Sequence, residues 1–290
     1  MCVLMVDTML WEHGRVRQGL LWLRIIKMEN KVAIITGGAG GIGSSVCSNF
    51  VDEGTKVVIA DVDYDRSKAL ADELGDYAIG VEVDVKNESS VESIVECAVK
   101  TFGRVDYAVH SSGNNIKSPI LDMEIDKWRE ALDTHLTGAF LLCKYAGRQM
   151  VKQGEGGSVV FISSVAAWAP VPERGPYGPA KAGLNNFAGL LSLEWAEYDI
   201  NVNTVCPGMA LTPMTKMVYK RDPSLRTQRL KRMPAGREVL PQEIADLVMF
   251  LCSDKANHIN GVSIPVDGGF VNSGFLPEEM VKLRIDEIDL

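Results

Sequence analysis

Tyr177 and Lys181 stand four residues apart in the run Tyr-Gly-Pro-Ala-Lys, with Ser164 upstream in Phe-Ile-Ser-Ser. Four-residue spacing on a helix puts two side chains on one face, so a phenol and an ammonium can share one site. A free tyrosine, with a pKa of ~10, is a poor base at neutral pH. A neighbouring cation favours the phenolate. The lysine is what would make the tyrosine usable for general acid–base chemistry.

A second constellation lies near the start of the regular part of the chain. Thr36-Gly37-Gly38-Ala39-Gly40-Gly41-Ile42-Gly43 follows the apolar run Val-Ala-Ile-Ile and leads into a helical pattern. A glycine-rich turn between strand and helix lets the backbone approach a pyrophosphate, and the helix N-terminus offers free N–H groups and a positive dipole end. The spacing differs from the commoner G-x-G-x-x-G, so a turn without a ligand is the competing reading. Asp61 ends the next strand-like run. An acid there can accept hydrogen bonds from adenosine ribose hydroxyls, and it would repel a 2′-phosphate. With no Lys or Arg inside the turn, the expectation is NAD rather than NADP. Arg66 is close in sequence but is expected on the following helix, and Asp61 as a plain turn residue is the alternative.

The elements that must position these residues alternate along the chain. Strands are expected at Val32–Thr36, Lys56–Ala60, Ala78–Val83, Asp106–His110, Ser158–Ile162, Asn201–Cys206 and Val262–Val266. Their continuous apolar character suits strands covered on both faces. Helical patterns lie between them at Ile42–Glu53, Asp65–Leu74, Ser90–Phe102, Asp126–Lys152, Tyr177–Glu197 and Pro241–Cys252. The alternation predicts one doubly wound, Rossmann-type α/β domain over 28–290, with a central seven-stranded parallel sheet flanked by helices. Pro207–Gly236 reads as one long irregular stretch, the mark of a lid or binding loop. Residues 1–27 read as an extension or a misassigned start. They lack the basic start and cleavage site of a secretory signal, and a transit peptide is the alternative.

Composition narrows the function classes. The net charge of -8 argues against nucleic acid or anionic lipid as the main partner. No apolar run is long enough for a transmembrane helix. The six cysteines, Cys2, Cys47, Cys97, Cys143, Cys206 and Cys252, are scattered, without C-x-x-C or histidines at ligand spacing. They read as reduced thiols in a cytoplasmic protein, and no metal site is expected. Asn87-Glu88-Ser89 fits the glycosylation pattern by chance.

Taken in order, these motifs resemble the short-chain dehydrogenase/reductase family, over about Lys31 to Gly269. The family's T-G-x-x-x-G-x-G matches Thr36–Gly43, with Gly37, Gly41, Ile42 and Gly43 at the cofactor. Its Y-x-x-x-K matches Tyr177 and Lys181, and its serine matches Ser164. The proline-glycine turn matches Pro207-Gly208, the carboxamide-holding threonine Thr212, and the acid–valine pair at the adenine Asp84-Val85. The resemblance implies hydride transfer between a nicotinamide and a secondary alcohol or ketone. Tyr177 would exchange the proton, Lys181 would lower its pKa and hold the ribose, and Ser164 would orient the reacting oxygen. It also implies a homo-oligomer, a tetramer or dimer, packed through the two long helices.

Two positions depart from the family. Its N-N-A-G is here His110-Ser111-Ser112-Gly113, which should border the cofactor mainly through backbone. Its helix asparagine, whose main-chain carbonyl positions a relay water, is here His135. That side chain either adds a titrating group, with a free pKa near ~6.5, or is satisfied by its neighbours.

At the substrate end, Lys216, Lys220, Arg221, Arg226, Arg229, Lys231, Arg232 and Arg237 cluster between Pro213 and Arg237 with Asp222 as the one acid among them. They suggest an anionic small-molecule substrate, with a solvated helix face or a subunit contact as the alternative. Trp168, Glu173, Arg174, Met209, Met214 and Tyr219 are further candidates for the pocket wall. The leading expectation is a dehydrogenase for a secondary alcohol, polyol, sugar or sugar acid. A 3-oxoacyl carrier-protein reductase is the alternative, and a non-catalytic dinucleotide sensor is the remote one.

Overall fold

The computed structural model describes residues 28–274. The extension expected over 1–27, with Cys2, and the end of the chain lie outside the described residues. Seven strands form one parallel sheet in the order β3-β2-β1-β4-β5-β6-β7. They are β1 Val32–Thr36, β2 Lys56–Asp61, β3 Ala78–Glu82, β4 Tyr107–His110, β5 Gly157–Ile162, β6 Ile200–Pro207 and β7 Ser263–Val266. The order reverses between β1 and β4, where Thr36 is paired with His110. In open α/β sheets such a switch point opens a crevice at the carboxyl ends of the strands.

The helices are α1 Gly41–Asp52, α2 Tyr64–Leu74, α3 Glu88–Phe102, α4 Ile125–Leu132, α5 Gly138–Gln153, α6 Tyr177–Glu194, α7 Pro213–Arg221, α8 Pro223–Leu230 and α9 Pro241–Cys252. Both faces of the sheet are covered, which is why its strands read as apolar throughout. One core joins Val58, Ala108 and Phe161 to Ile94, Leu142 and Leu184 of α3, α5 and α6. The other joins Ile35, Ile59 and Val109 to Phe50 of α1 and Val248 of α9. Each fully buried side chain of this size contributes about 1.5–3 kcal/mol.

Two expectations are corrected. The single helix expected over Asp126–Lys152 is two helices joined by a π-helical stretch, Asp133–Thr137, that contains His135. Wide turns of this kind recur at functional positions. The segment Pro207–Gly236 is not irregular throughout, because it carries α7 and α8. Thr212 caps α7 by accepting from Thr215 N–H, Asp222 caps α8 by accepting from Leu225 N–H, and a proline opens each helix. A short polar cap followed by proline is a strong helix start. Asn87 is likewise a cap, its amide oxygen accepting from Ser90 N–H at the start of α3.

Candidate active site

All the expected site residues collect at the carboxyl edge of the sheet. Thr36, Asp61, His110 and Pro207 end four of its strands, and Asp84 and Ser164 follow two others closely. Gly37, at the end of β1, has φ +67°, and a Cβ there would lie 2.7 Å from the Ser112 nitrogen. A Cβ on Gly43 would lie 2.1 Å from the Gly37 carbonyl oxygen. The turn therefore closes only with glycine at both positions. Gly41 faces the other side of the crevice: a Cβ on it would meet Pro213 at 2.7 Å and Thr212 at 3.0 Å. Gly40 precedes α1 with no side-chain cap. The first-turn N–H groups of Gly41, Ile42 and Gly43 thus meet the crevice beside Thr212, an arrangement that fits a pyrophosphate.

Asp61 helps to shape the same turn. Its carboxylate accepts from Ala39 N–H at 3.0 Å and from Asp63 N–H at 3.1 Å. Arg66 lies on α2, as expected, but its guanidinium folds back and donates to the Ala39 carbonyl. The crevice edge near Asp61 therefore carries a cation as well as an acid, which sequence distance alone did not reveal. Asp84 is half-exposed in a turn, accepting from Lys86 N–H at 3.0 Å, and Val85 is buried against Gly138.

The catalytic candidates are gathered by β5, the turn after it and α6. Ser164 is nearly buried, and its hydroxyl oxygen accepts from Ala166 N–H at 3.1 Å to start a 3-10 turn, Val165–Ala167. That turn packs on α6, with a Cβ on Gly178 reaching 3.2 Å from the Ala166 carbonyl. One helical turn beyond Tyr177, Lys181 reaches back to the sheet. Its Nζ donates to the Ile162 carbonyl at 2.7 Å and lies 5.7 Å from the centre of the Tyr177 ring. Ser163 fixes the same turn of α6 by donating to the Lys181 carbonyl at 3.0 Å. Burial lowers the Lys181 pKa to about 7, opposed by the neighbouring Cys206. The ammonium is thus desolvated beside the phenol, where its charge acts at low dielectric.

The two histidines form one buried unit. His110 Nε2 meets the His135 carbonyl at 3.1 Å, and its Nδ1 meets the Thr36 hydroxyl at 2.9 Å. A carbonyl only accepts, so Nε2 carries the proton and Nδ1 accepts from Thr36. His110 is therefore a strut between β1, β4 and the π-helical stretch. His135 presents its ring edge to Tyr177, with centroids 5.3 Å apart at 84°. Its Nε2 meets the backbone of Asn114. Burial, then the charge of Lys181, lowers the His110 pKa to about 3 and that of His135 to about 2. Of the two readings of His135, the lowered pKa and the ring contact favour a side chain satisfied by its neighbours over a group that titrates near neutrality. The His135 carbonyl, the atom assigned to the relay, is already shared with His110.

Two arginines of the basic segment are matched by acids that lie just beyond it. Arg226 is buried in a bidentate pair with Glu238, at 2.8 and 3.0 Å. Arg237 pairs with Glu243, Arg229 lies over the Tyr219 ring, and Arg232 lies over Phe270. Tyr219 is fully buried under these side chains and is no part of a pocket wall. The five cysteines among the described residues are free thiols, with Cys47, Cys143 and Cys252 pushed up in pKa by burial.

Known proteins with this arrangement are numerous. The family model described as Enoyl-(Acyl carrier protein) reductase matches residues 37–271. The D-threitol dehydrogenase of Mycolicibacterium smegmatis is 33% identical over 84% of this chain and 94% of its own. The trans-4-hydroxycyclohexanecarboxylate dehydrogenase of Sinomonas cyclohexanicum is 34% identical over 84% of this chain and 93% of its own. The crystal structure of the 3-ketoacyl-(acyl-carrier-protein) reductase from Brucella melitensis, complexed with NADH, superposes with a TM-score of 0.79 at 28% identity, covering 84% of this chain and 99% of that one. With the glycine turn and the strand order in place, the chain belongs to the short-chain dehydrogenase/reductase family, as an oxidoreductase of secondary alcohols that uses a nicotinamide dinucleotide.

Proposed function

We propose that the protein is an NAD-preferring dehydrogenase in which Tyr177 removes the alcohol proton, with Lys181 and Ser164 as its partners. The observation that carries this reading is the desolvated Lys181 ammonium 5.7 Å from the Tyr177 ring, with the Ser164 turn packed on the same helix. A dinucleotide held by the open start of α1, Asp61 and Thr212 would supply the hydride acceptor. Lys181 would then hold the ribose and keep the phenol ionisable, while Ser164 donates to the reacting oxygen. His135 would hold the phenol from its edge without taking a proton. Asp84, Val85, His110, Pro207 and Gly208 would border the cofactor mainly through backbone.

The named substrates of the relatives, D-threitol and trans-4-hydroxycyclohexanecarboxylate, support a polyol, a sugar or a hydroxy acid as substrate. Asp61 supports NAD. Arg66 at the Ala39 carbonyl favours the second reading, a carrier-protein reductase using NADPH, because a guanidinium there could turn to a 2′-phosphate. Exposed Phe140, Leu190 and Leu193 on α5 and α6 support a homotetramer or dimer. No described helix is long and apolar enough to cross a membrane, and the free thiols support a cytoplasmic setting.

The test is a panel of secondary alcohols and hydroxy acids with NAD and with NADP, read by absorbance of the reduced nicotinamide. Tyr177→Phe should lower kcat by about 10²–10⁴-fold with little change in cofactor binding. A protein that only senses the dinucleotide would lose nothing on that substitution. A strong preference for NADP would select the carrier-protein reductase reading.

A further inference from the structure

Arg174 stands over the Tyr177 ring, and among the described residues its charge meets no acid. The residues on either side of it have left-handed backbone, Glu173 at φ 62° and Gly175 at φ 35°. For glutamate this conformation is strained, and such strain persists only where the surroundings over-determine it. They do so here. Ser118 N–H donates to the Glu173 carbonyl at 2.9 Å, and Ser118 pairs with Arg174 in an isolated parallel bridge. Arg174 N–H reaches the Val171 carbonyl at 3.3 Å, and Tyr177 N–H reaches the Arg174 carbonyl at 2.9 Å. The Met123 methyl packs on Gly175. Two loops are thereby locked together, and Arg174 is fixed one turn before the phenol.

Its guanidinium carbon lies 5.6 Å from the centre of the Tyr177 ring. The contrast with the basic segment is chemical. Arg226 and Arg237 have carboxylates within ion-pair distance. Among the described residues, the Arg174 side chain has neither ion pair nor hydrogen bond, and its guanidinium lies against that ring face. A half-buried arginine with five donors and no acceptor beside it can take an anion. The fork geometry matches a carboxylate through two parallel hydrogen bonds. Ile120 and Leu121 on one locked loop, with Trp168 and Val171 on the other, are exposed apolar side chains that could cover a carbon skeleton.

We infer that Arg174 binds a carboxylate carried by the substrate, so that the alcohol oxidised at Tyr177 belongs to a hydroxy acid with a short carbon spacer between its two functional groups. The inference rests on the proposed role of Tyr177 in the same site, so the test reads binding separately from turnover. Cyclohexanecarboxylate and butyrate, each against its neutral amide, are titrated calorimetrically into the full-length protein saturated with NADH. The acids should bind more tightly than the amides. Arg174→Met, which keeps an apolar stem on the Tyr177 ring, should weaken the acids about 10- to 100-fold and leave the amides unchanged. Arg174→Lys should recover part of that loss.

Equal affinity for acid and amide in the wild-type protein would overturn the assignment. So would an equal loss of turnover of neutral alcohols and hydroxy acids in Arg174→Met, which would mean that Arg174 acts on the phenol alone. Charge-selective binding with turnover unchanged in Tyr177→Phe would uphold the anchor while removing the proposed role of Tyr177. Turnover lost in Tyr177→Phe, without charge-selective binding, would do the reverse.

Discussion

The two ends of the crevice solve the problem of positioning in opposite ways. At the dinucleotide end, positive φ and close approach fall on glycine: Gly37 is left-handed, and Gly37 and Gly43 have no room for a Cβ. The groups that would face a ligand there are backbone N–H groups, the same in any sequence that makes the turn. At the substrate end the left-handed residue before Arg174 is a glutamate, and the proposed anchor is a side chain that lies over the Tyr177 ring. The first end is rigid because its sequence leaves no alternative. The second is rigid because two loops hold each other. The first is therefore legible in a single sequence, and the second depends on contacts between segments far apart in the chain.

The largest expected effect lies in the segment after β6. If it is a folded body and not a loose flap, its buried Arg226–Glu238 pair holds it together. Arg226→Met leaves the Glu238 carboxylate buried without its partner, at a cost of about 3–5 kcal/mol. Thermal or denaturant unfolding should show that loss, and substituting Arg226 and Glu238 together by apolar residues should recover most of it. A change within error for Arg226→Met would mean that the segment contributes little to global stability.

Lys181 joins the two ends, and its burial gives a pH signature. The folded pKa is about 7 against an ordinary value of 10.5. Between these values the unfolded chain binds more protons than the folded one, so stability rises as pH rises from about 7 toward 10. Below the folded pKa the full cost of burying the charge is present. Lys181→Met should remove that rise and be more stable than wild type near neutrality by a few kcal/mol, while losing activity. Parallel stability–pH profiles for the two proteins would show that the amine is solvated in solution.

Much of this could be read before the fold was known. The strands were legible within a residue or two because both faces of the sheet are covered, and the glycine turn and Tyr177–Lys181 pair carry their geometry in their spacing. The break in the helix at Asp133–Thr137 was not legible, because a widened turn has no composition of its own. Helices α7 and α8 did leave a signal, Thr212-Pro213 and Asp222-Pro223, which the density of basic residues obscured. The choice between the two readings of His135 was out of reach for a different reason. It depends on burial beside Lys181 and Tyr177, which only the packed structure brings together.

The smallest effects bear most directly on the contrast between the two ends, because they should differ in sign. Gly43→Ala puts a methyl group into the Gly37 carbonyl and should destabilise by about 1–3 kcal/mol, with weaker dinucleotide binding. Glu173→Gly relieves the left-handed strain at the substrate mouth and should stabilise by up to about 1 kcal/mol. Glycine would also loosen the backbone that aims Arg174, so KM for a hydroxy acid should rise while KM for the dinucleotide stays fixed. If Glu173→Gly instead destabilised the fold, the glutamate would be making a stabilising contact of its own. The substrate end would then be held by side-chain packing rather than by the Ser118 hydrogen bond and the paired loops.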